Sequence, residues 1–160
     1  MGLLAWTASG RAQCLTEKVA LDLPIATTAT DLSDHEHTVN VTGATYVNGQ
    51  DGSSMGALSI NGQNQYATIP ADPAFELMSS SFTMSAWVYP IAYQQYNAVI
   101  AKLNGSHRNI LLRYHNDGKI QVHFTNGGGG ITAVTTDSAV VGLNNWYHLA
   151  ATWDGSEMRI

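Results

Sequence analysis

The stretch Phe82–Pro90 constrains the fold more than any other part of the chain. Its residues alternate in an extended chain. Phe82, Met84, Ala86 and Val88 lie on one face, and Thr83, Ser85, Trp87 and Tyr89 lie on the other. A period of two predicts an extended strand that is well buried on one face and partly buried on the other. Pro90 ends the strand because proline has no N–H to donate to a sheet. We therefore predict a central strand of an all-β sandwich.

Composition agrees with strands rather than helices. Of the 160 residues, 44% are apolar and only 12% are charged, which is about half of the usual charged share. A chain so poor in charge has few residues for the solvated faces of helices, whereas its 15 glycines and its 3 Phe, 7 Tyr and 4 Trp suit strands joined by turns. The length supports one domain with one sizeable core.

Several partner classes are excluded by charge and hydropathy. The net charge is −5, the 7 Lys and Arg residues form no basic run, and we therefore expect no nucleic-acid partner. No apolar stretch approaches the roughly 20 residues that a membrane-spanning helix needs. Cys14 is the single cysteine, so an internal disulfide cannot form.

The two ends of the chain leave alternatives open. Residues 1–18 are predicted to be either the remnant of a signal peptide or a loosely packed arm, followed by one domain over residues 19–160. Ile160 comes in mid-strand, with no turn or polar tail after it. We expect either a domain that is incomplete at its C-terminus or an open edge strand that pairs with another chain, including a second copy.

Short strands separated by turn residues fill the rest of the sequence. Asp72 is placed to cap one helical turn that has Pro73 at its first position, within Asp72–Leu77. Ile25–His37, rich in Thr and Asp, is predicted to be a loop. The predicted strands are Val19–Leu23, Val39–Val47 with a bend at its glycine, Ala57–Ile60, Tyr66–Ile69, Ala98–Leu103 and Ile131–Val141.

Two hairpins can be given a register. A three-residue loop at Asn116–Gly118 pairs Tyr114 with Ile120 and keeps all apolar pairs of Ile110–Phe124 on one face, whereas a two-residue loop would mix the faces. That loop needs a positive φ, which Gly118 supplies. The second hairpin, Trp146–Ile160, turns around Asp154 and Gly155 with an even-length loop.

Four segments resemble a known family when taken in order. They are Ala57–Gly62, Tyr66–Pro70, Phe82–Pro90 and Trp146–Gly155, and they are similar to the laminin-G-like, concanavalin A-like lectin/glucanase jelly-roll family. Asp31–His35 resembles the early Asp-x-Ser-Gly-Asn-Gly loop of that family, with the expected glycine replaced. The resemblance covers about Val19 to Ile160. It implies a two-sheet antiparallel jelly-roll sandwich, with about 30 to 50 further residues in a complete domain.

The sequence shows no catalytic set. Glucanases of this fold place carboxylates on alternate positions of one strand, so that they converge on the glycosidic bond. Here only Glu36 has an acidic neighbour two positions away, Asp34, and both lie in a predicted loop. No Gly-x-Ser-x-Gly elbow occurs. We therefore predict that the chain is not an enzyme.

Metal binding has two candidate forms. His35 and His37 alternate, so a transition metal could use both imidazoles, although zinc needs two more ligands that the sequence does not show and a solvated polar loop is the simpler interpretation. The family resemblance instead implies calcium, held by oxygen-rich loops at the rim of a sandwich. The residues that this implies are Asp31, Asp34, Asn61 and Asn64.

A sugar site needs aromatic surface for the apolar face of the sugar, with amides or arginine for its hydroxyls. The candidate carbohydrate-binding residues are Tyr93, Gln95, Tyr96, Asn97, Arg108 and Arg113. Tyr93 and Tyr96 could instead fill the end of the sandwich, and Arg113 could instead form a surface cross-strand pair with Gln121.

These observations predict a non-catalytic binding or adhesion module for a glycan or glycoprotein, with calcium as the candidate cofactor, outside the cell, on a cell surface or on a virion surface. One alternative is a structural protein of a virion, filament or surface layer that assembles through open strand edges. A second alternative is a glycosidase relative that uses Asp34 or Glu36.

Overall fold

The computed structural model describes residues 2–3, 19–76, 81–94, 97–104, 107–125 and 130–160, and in residues 2–3, 103–104 and 107–108 it describes the backbone alone. The chain divides into two compact units, Met1–Glu76 and Leu77–Ile160. Nearly all regular structure is antiparallel strand. The strands are β1 (Gly2–Leu3), β2 (Ile25–Ala26), β3 (Thr28–Ala29), β4 (Asn40–Thr42), β5 (Thr45–Val47), β6 (Ala57–Ser59), β7 (Tyr66–Thr68), β8 (Phe82–Tyr89), β9 (Asn97–Asn104), β10 (His107–Tyr114), β11 (Ile120–Thr125), β12 (Ile131–Thr135), β13 (Tyr147–Trp153) and β14 (Met158–Arg159).

The first unit is made of short strand pairs around a small apolar cluster. β6 pairs with β1 on one side and with β5 on the other, while β2 pairs with β3 and β4 with β7. Leu23, Ile25 and Leu58 form the buried centre of the cluster. A 3₁₀ turn, Pro73–Phe75, follows, and the Asp72 carboxylate accepts a hydrogen bond from the Ala74 N–H at 2.8 Å. The predicted cap at Asp72 is therefore confirmed.

The second unit holds two groups of strands that share an aromatic core. β13 pairs with β8 and with β14, and a separate sheet has the order β12-β11-β10-β9. Phe124 of β11 is 1% exposed and its ring lies 5.1 Å from that of Phe82 and 5.4 Å from that of Trp153. Since Phe82 and Trp153 belong to β8 and β13, these contacts join the two groups face to face.

The predicted central strand and first hairpin are confirmed. In β8 the residues Phe82, Ala86 and Val88 are buried, whereas Thr83 and Ser85 on the other face are exposed. In the β10–β11 hairpin Tyr114 pairs with Ile120, Leu112 with Val122 and Ile110 with Phe124. Gly118 has a φ of 77°, as the three-residue loop requires.

Two predicted strands differ from the structure. Val19–Leu23 contains no strand, because its backbone pairs with a loop instead: the Asp22 N–H donates to the Asp31 carboxylate at 3.0 Å and the Asp22 carbonyl accepts from Leu32 at 2.7 Å. β12 ends at Thr135, six residues earlier than predicted. At Thr136 the N–H still donates to the Ile120 carbonyl, but the Ile120 N–H donates to the Thr136 hydroxyl instead of to a backbone carbonyl.

The second hairpin follows the predicted even-length loop, with Trp153 paired to Met158. The predicted loop Ile25–His37 contains the short pair β2–β3 before it becomes irregular. The prediction of an arm over residues 1–18 falls largely outside the described residues, although Gly2–Leu3 pairs with Leu58 and Ser59. Among the residues that the structure describes, no helix has the length and apolar character to cross a membrane.

Candidate functional site

A row of polar side chains crosses the outer face of the β12-β11-β10-β9 sheet. Leu112 and Tyr114 of β10 point into the core, so Arg113 between them points outward, opposite Gln121 of β11. His123 lies two residues further along β11, and Thr135 of β12 pairs with Gln121 on the other side. We call Arg113, Gln121, His123 and Thr135 the polar row.

The polar row is held by hydrogen bonds that converge on one amide. The Gln121 side-chain oxygen accepts from Arg113 through Nε at 2.8 Å and through a terminal guanidinium nitrogen, and it lies 2.7 Å from His123 Nε2. The Gln121 amide nitrogen donates to the Thr135 hydroxyl at 2.8 Å. Arg113 is only 8% exposed, so its guanidinium is fixed in place rather than mobile in solvent. The predicted cross-strand pair of Arg113 with Gln121 is therefore present.

The chemistry of this face is that of neutral or cationic donors beside an amide and a hydroxyl. The sequence places no Asp or Glu in any of the four strands of the sheet. A carboxylate pair of the glycosidase kind, which needs two acids on one strand face, is therefore not provided by these strands. The groups that are present are those that hydrogen-bond sugar hydroxyls in a pre-formed site.

The predicted tyrosine and asparagine of the neighbouring loop have internal partners. The Tyr93 hydroxyl donates to the Val141 carbonyl at 2.8 Å, and its ring lies 6.4 Å from that of Tyr114. Asn97 is 1% exposed, and its amide nitrogen donates to the carbonyls of Gln94 and Tyr114. These contacts give both side chains a part in fixing the end of the sheet.

The remaining carbohydrate candidates are only partly covered by the structure. Gln95 and Tyr96 lie outside the described residues, and the backbone of Arg108 lies in β10 while its side chain is outside them. Of the predicted set, the structure thus brings Arg113 alone into the polar row. Gln121 and Thr135 were not among the predicted site residues, although the hairpin register places Gln121 opposite Arg113.

A second surface feature lies on the outer face of β8 and β13. Trp87 is paired with His148, with ring centroids 5.1 Å apart, and the Tyr89 ring lies 5.4 Å from that of Trp146. The strand alternation placed Trp87 and Tyr89 on this face, but their aromatic partners come from about 60 residues later in the chain. The result is a line of aromatic rings that are half-buried, with His148 exposed.

Asp31, the first of the predicted calcium ligands, is a fully buried carboxylate at the centre of its loop. One oxygen accepts from the N–H groups of Asp22 and Ser33, and the other accepts from the Ser33 hydroxyl and the His37 N–H and lies 2.6 Å from His37 Nδ1. Burial raises the pKa of Asp31, but the backbone hydrogen bonds from Ser33, Asp22 and His37 outweigh it and hold that pKa well below its usual range. The lone pairs that calcium would need are thus occupied by hydrogen bonds.

The other predicted calcium ligands lie in exposed turns. Asp34 is exposed, within a turn in which Glu36 donates its N–H to the Ser33 carbonyl. The Asn61 side-chain oxygen accepts from the Gln63 N–H at 2.8 Å, and Asn64 adopts a positive φ of 55° in the same turn. Calcium binding by these residues stays a prediction.

A different set of potential metal ligands comes together in the first unit. His35, His37 and Asp72 each offer a ligand atom, and these atoms lie within 4.8 Å of one another. His37 Nε2 is 3.7 Å from Asp72 Oδ1. The sequence suggested the two histidines, but Asp72 comes from a segment 35 residues later and was predicted only as a helix cap.

Comparisons with known proteins agree with this architecture. The chain is similar to the crystal structure of the binding domain of Paraclostridial Mosquitocidal Protein 1, with a TM-score of 0.70, 16% sequence identity and 88% of this chain covered. At that identity the likeness shows the fold alone. The chain spans 37% of the length of that structure. No curated protein matched the sequence.

The sequence itself matches a family model over residues 61–160. That model, Laminin_G_3, is described as the concanavalin A-like lectin/glucanases superfamily. The matched range includes β7 to β14, and therefore both the polar row and the aromatic core of the second unit. The antiparallel β-sandwich predicted from alternation and from the four family-like segments is thus confirmed, and the chain belongs to the concanavalin A-like lectin/glucanase superfamily.

Proposed function

We propose that this chain is a non-catalytic module that binds a glycan, alone or on a glycoprotein, through the outer face of the β12-β11-β10-β9 sheet. The observation that carries the proposal is the polar row, in which Arg113, His123 and Thr135 each form a hydrogen bond with the side chain of Gln121. Membership of a lectin-containing superfamily supports it, as does the likeness to the binding domain of Paraclostridial Mosquitocidal Protein 1.

The arrangement suits a sugar because it is already organised. A sugar hydroxyl both donates and accepts, so it can join a row of amide, hydroxyl, imidazole and guanidinium groups without introducing an unpaired charge. Fixing the row in advance reduces the side-chain entropy that binding would otherwise cost, at about 0.5 to 1.5 kcal/mol for each side chain. Of the residues beside the row on this face, Ala101 and Ala133 are small and exposed, whereas Leu111 is buried, so the accessible part of the face lies toward these two alanines.

A binding role is favoured over hydrolysis by the distribution of acids. The superfamily name includes glucanases, but hydrolysis needs a carboxylic acid and a carboxylate on either side of the glycosidic bond. The sheet that carries the polar row has no acidic residue in its four strands. We therefore assign no catalytic residue. Because the proposed ligand is a glycan, the proposal also includes an extracellular location, or one on a cell surface or a virion surface.

The direct test is a glycan array probed with the wild-type chain and with Gln121→Ala, each in the presence and absence of calcium. Gln121→Ala removes the acceptor that orients Arg113 and His123, and we expect at least about tenfold weaker binding, equivalent to about 1.4 kcal/mol. If calcium assists, binding falls when it is chelated. Absence of any bound glycan under both conditions would contradict the proposal.

Two controls locate the site. Thr83→Ala changes an exposed strand residue on β8, in the other group of strands, and should leave affinity within about twofold because it does not contact the polar row. His148→Ala tests the aromatic side chains on the outer face of β8 and β13. If His148→Ala loses glycan binding while Gln121→Ala retains it, the binding site lies on β8 and β13 instead. Light scattering over a range of concentrations tests the assembly alternative, which growth of particles without glycan binding would favour.

A further inference from the structure

His37 has one ring nitrogen that the protein leaves without a partner. The side chain is only 7% exposed, and Nε2 has no hydrogen bond among the described residues. A buried ring nitrogen without a hydrogen-bond partner destabilises the folded protein, so such an atom needs an explanation. The other nitrogen, Nδ1, lies 2.6 Å from the Asp31 carboxylate and is well satisfied.

The surroundings of His37 Nε2 are those of a metal ligand. His35 stacks on one side of the ring at a centroid distance of 5.3 Å, and Phe75 covers it at 4.6 Å. Asp72 Oδ1 lies 3.7 Å from Nε2, and a ligand atom of His35 lies within 4.8 Å of both. We propose that His35, His37 and Asp72 bind one zinc ion, with Asp31 as the outer carboxylate that orients His37.

The distances require only small side-chain movements. Ligand atoms of a tetrahedral zinc site are about 3.3 Å apart when the metal–ligand bonds are about 2.0 to 2.1 Å. The pair His37 Nε2 and Asp72 Oδ1 is already near that separation. His35 is exposed, so its ring can turn to close the remaining distance. Three protein ligands leave a fourth position for water or for another group.

Asp31 gives His37 the tautomer that a metal requires. An ionised Asp31 carboxylate can only accept a hydrogen bond, so Nδ1 carries the proton and donates it in this bond, and the lone pair is on Nε2, near Asp72 and His35. Metal-binding histidines usually donate their second N–H to a carboxylate or a carbonyl in this way, and the contact raises the basicity of the ligand nitrogen. Because Asp31 is itself fixed by Ser33 and Asp22, the His37 ring is fixed as well.

The donor set selects zinc over calcium. Two imidazoles and one carboxylate are ligands for a transition metal, whereas calcium takes six to eight oxygen ligands. The proposed site shares Asp31 with the calcium prediction, but it uses that residue as an orienting group rather than as a ligand. A bound ion would also tie the loop that contains His35 and His37 to the turn that begins at Asp72, 35 residues later.

The competing explanation is an ion pair without a metal. If His37 were protonated on both nitrogens, Nε2 could face the Asp72 carboxylate at the observed 3.7 Å. That pair involves the same atoms as the zinc site but does not involve His35. The two explanations therefore differ in what His35 contributes, and in whether added zinc changes anything.

The test is a titration of the chain with zinc at neutral pH, by calorimetry and by thermal unfolding. We expect one zinc ion per chain, a rise in Tm with zinc and no rise with the same concentration of calcium. His35→Ala and Asp72→Asn should each weaken zinc binding by at least about tenfold, since even the loss of an outer-shell partner costs about 10- to 100-fold. Asp72→Asn retains an oxygen that can accept the Ala74 N–H, which preserves the cap.

The matched control is His148→Ala, which removes another exposed histidine from the second unit. It should bind zinc as the wild type does. The proposal is overturned if the wild type shows no stoichiometric zinc binding at micromolar concentrations, or if His35→Ala and Asp72→Asn bind zinc unchanged. A Tm that falls in Asp72→Asn but responds to zinc in neither protein would support the ion pair instead.

Discussion

Gly118 and Val141 are bound backbone to backbone at the end of the β10–β11 hairpin. The Gly118 carbonyl accepts hydrogen bonds from the N–H groups of Val140 at 2.8 Å and Val141 at 3.0 Å. A β-carbon built on Gly118 would overlap the Val141 carbonyl oxygen. Val141 is 2% exposed, so these hydrogen bonds hold the hairpin turn in contact with a buried residue of the segment that follows β12.

Gly118→Ala is therefore expected to be strongly destabilising. The positive φ of 77° costs an alanine about 1 to 2 kcal/mol, and the overlap with backbone adds about 1 to 3 kcal/mol. Gly62→Ala is the matched control, because its φ of 78° is nearly the same and nothing lies within 4 Å of the added carbon. Urea unfolding of both variants should show a larger loss at Gly118, and equal losses would contradict the close approach.

The hairpin shows which parts of the fold follow from local sequence. Its register was predictable because a shift of one residue would turn Leu112 and Tyr114 away from the apolar core and turn Arg113 into it. The Val19–Leu23 segment is also rich in apolar residues, as the hairpin strands are, yet it forms no strand. Its backbone groups are satisfied by Asp31 and Leu32, and a pattern of apolar residues does not reveal which partner a backbone N–H will find.

The candidate sites were predictable only as far as their members are close in sequence. His35 and His37 are two residues apart, and the hairpin register places Gln121 opposite Arg113. Asp72 lies near the histidines only through tertiary contacts, because the strand pairs β4–β7 and β5–β6 lie between them in the chain. His37 Nε2 is buried without a hydrogen-bond partner among the described residues because of tertiary packing, which cannot be read from a single sequence.

Tyr114→Phe should stabilise the protein. Tyr114 is fully buried, and its hydroxyl has no hydrogen-bond partner among the described residues. Removing an unsatisfied buried hydroxyl should raise the free energy of unfolding by about 1 kcal/mol. Tyr46→Phe is the opposite case, since the Tyr46 hydroxyl accepts the Ala29 N–H at 3.1 Å, and it should lose about 1 kcal/mol. Urea midpoints at neutral pH measure both.

The gain from Tyr114→Phe should increase in alkali. Burial, with a smaller contribution from the charge on Tyr93, raises the pKa of Tyr114 to about 12. Its unfolded pKa is about 10, so the wild type loses stability through this group as the pH rises from about 10 toward 12. Phenylalanine cannot titrate, so the difference in Tm between variant and wild type should widen above pH 10. A constant difference would contradict the raised pKa.

Phe124→Ala should remove the contact that joins the two groups of strands in the second unit. The ring is almost fully buried against Phe82 and Trp153, and truncating such a side chain costs about 3 to 5 kcal/mol. Ile131→Ala, on β12 of the same sheet and 64% exposed, should change stability by no more than about 0.5 kcal/mol. Tryptophan fluorescence during urea unfolding measures both, with Trp153 as the reporter beside the cavity.

Asp154 should make the second hairpin sensitive to acid. Its carboxylate accepts the N–H of Glu157 at 2.8 Å, the hydroxyl and N–H of Ser156, and a guanidinium N–H of Arg159 at 3.0 Å. The backbone hydrogen bond from Glu157 and the hydroxyl of Ser156 hold the pKa of Asp154 well below its usual range. A lowered folded-state pKa gives stability that is present above the unfolded pKa of about 3.9 and is lost as the pH falls through the folded value.

The test compares Tm against pH for the wild type and Asp154→Asn. The variant should be less stable at pH 7, and the two curves should converge as the pH falls below about 4, because only the wild type loses the charged acceptor. Asp137→Asn is the control for removing one exposed carboxylate, in the bend after β12, and its Tm at pH 7 should stay close to that of the wild type. A difference between wild type and Asp154→Asn that is the same at pH 7 and pH 3 would show that the turn depends on hydrogen bonds alone. Convergence would show that the charge of Asp154 keeps β13 and β14 together.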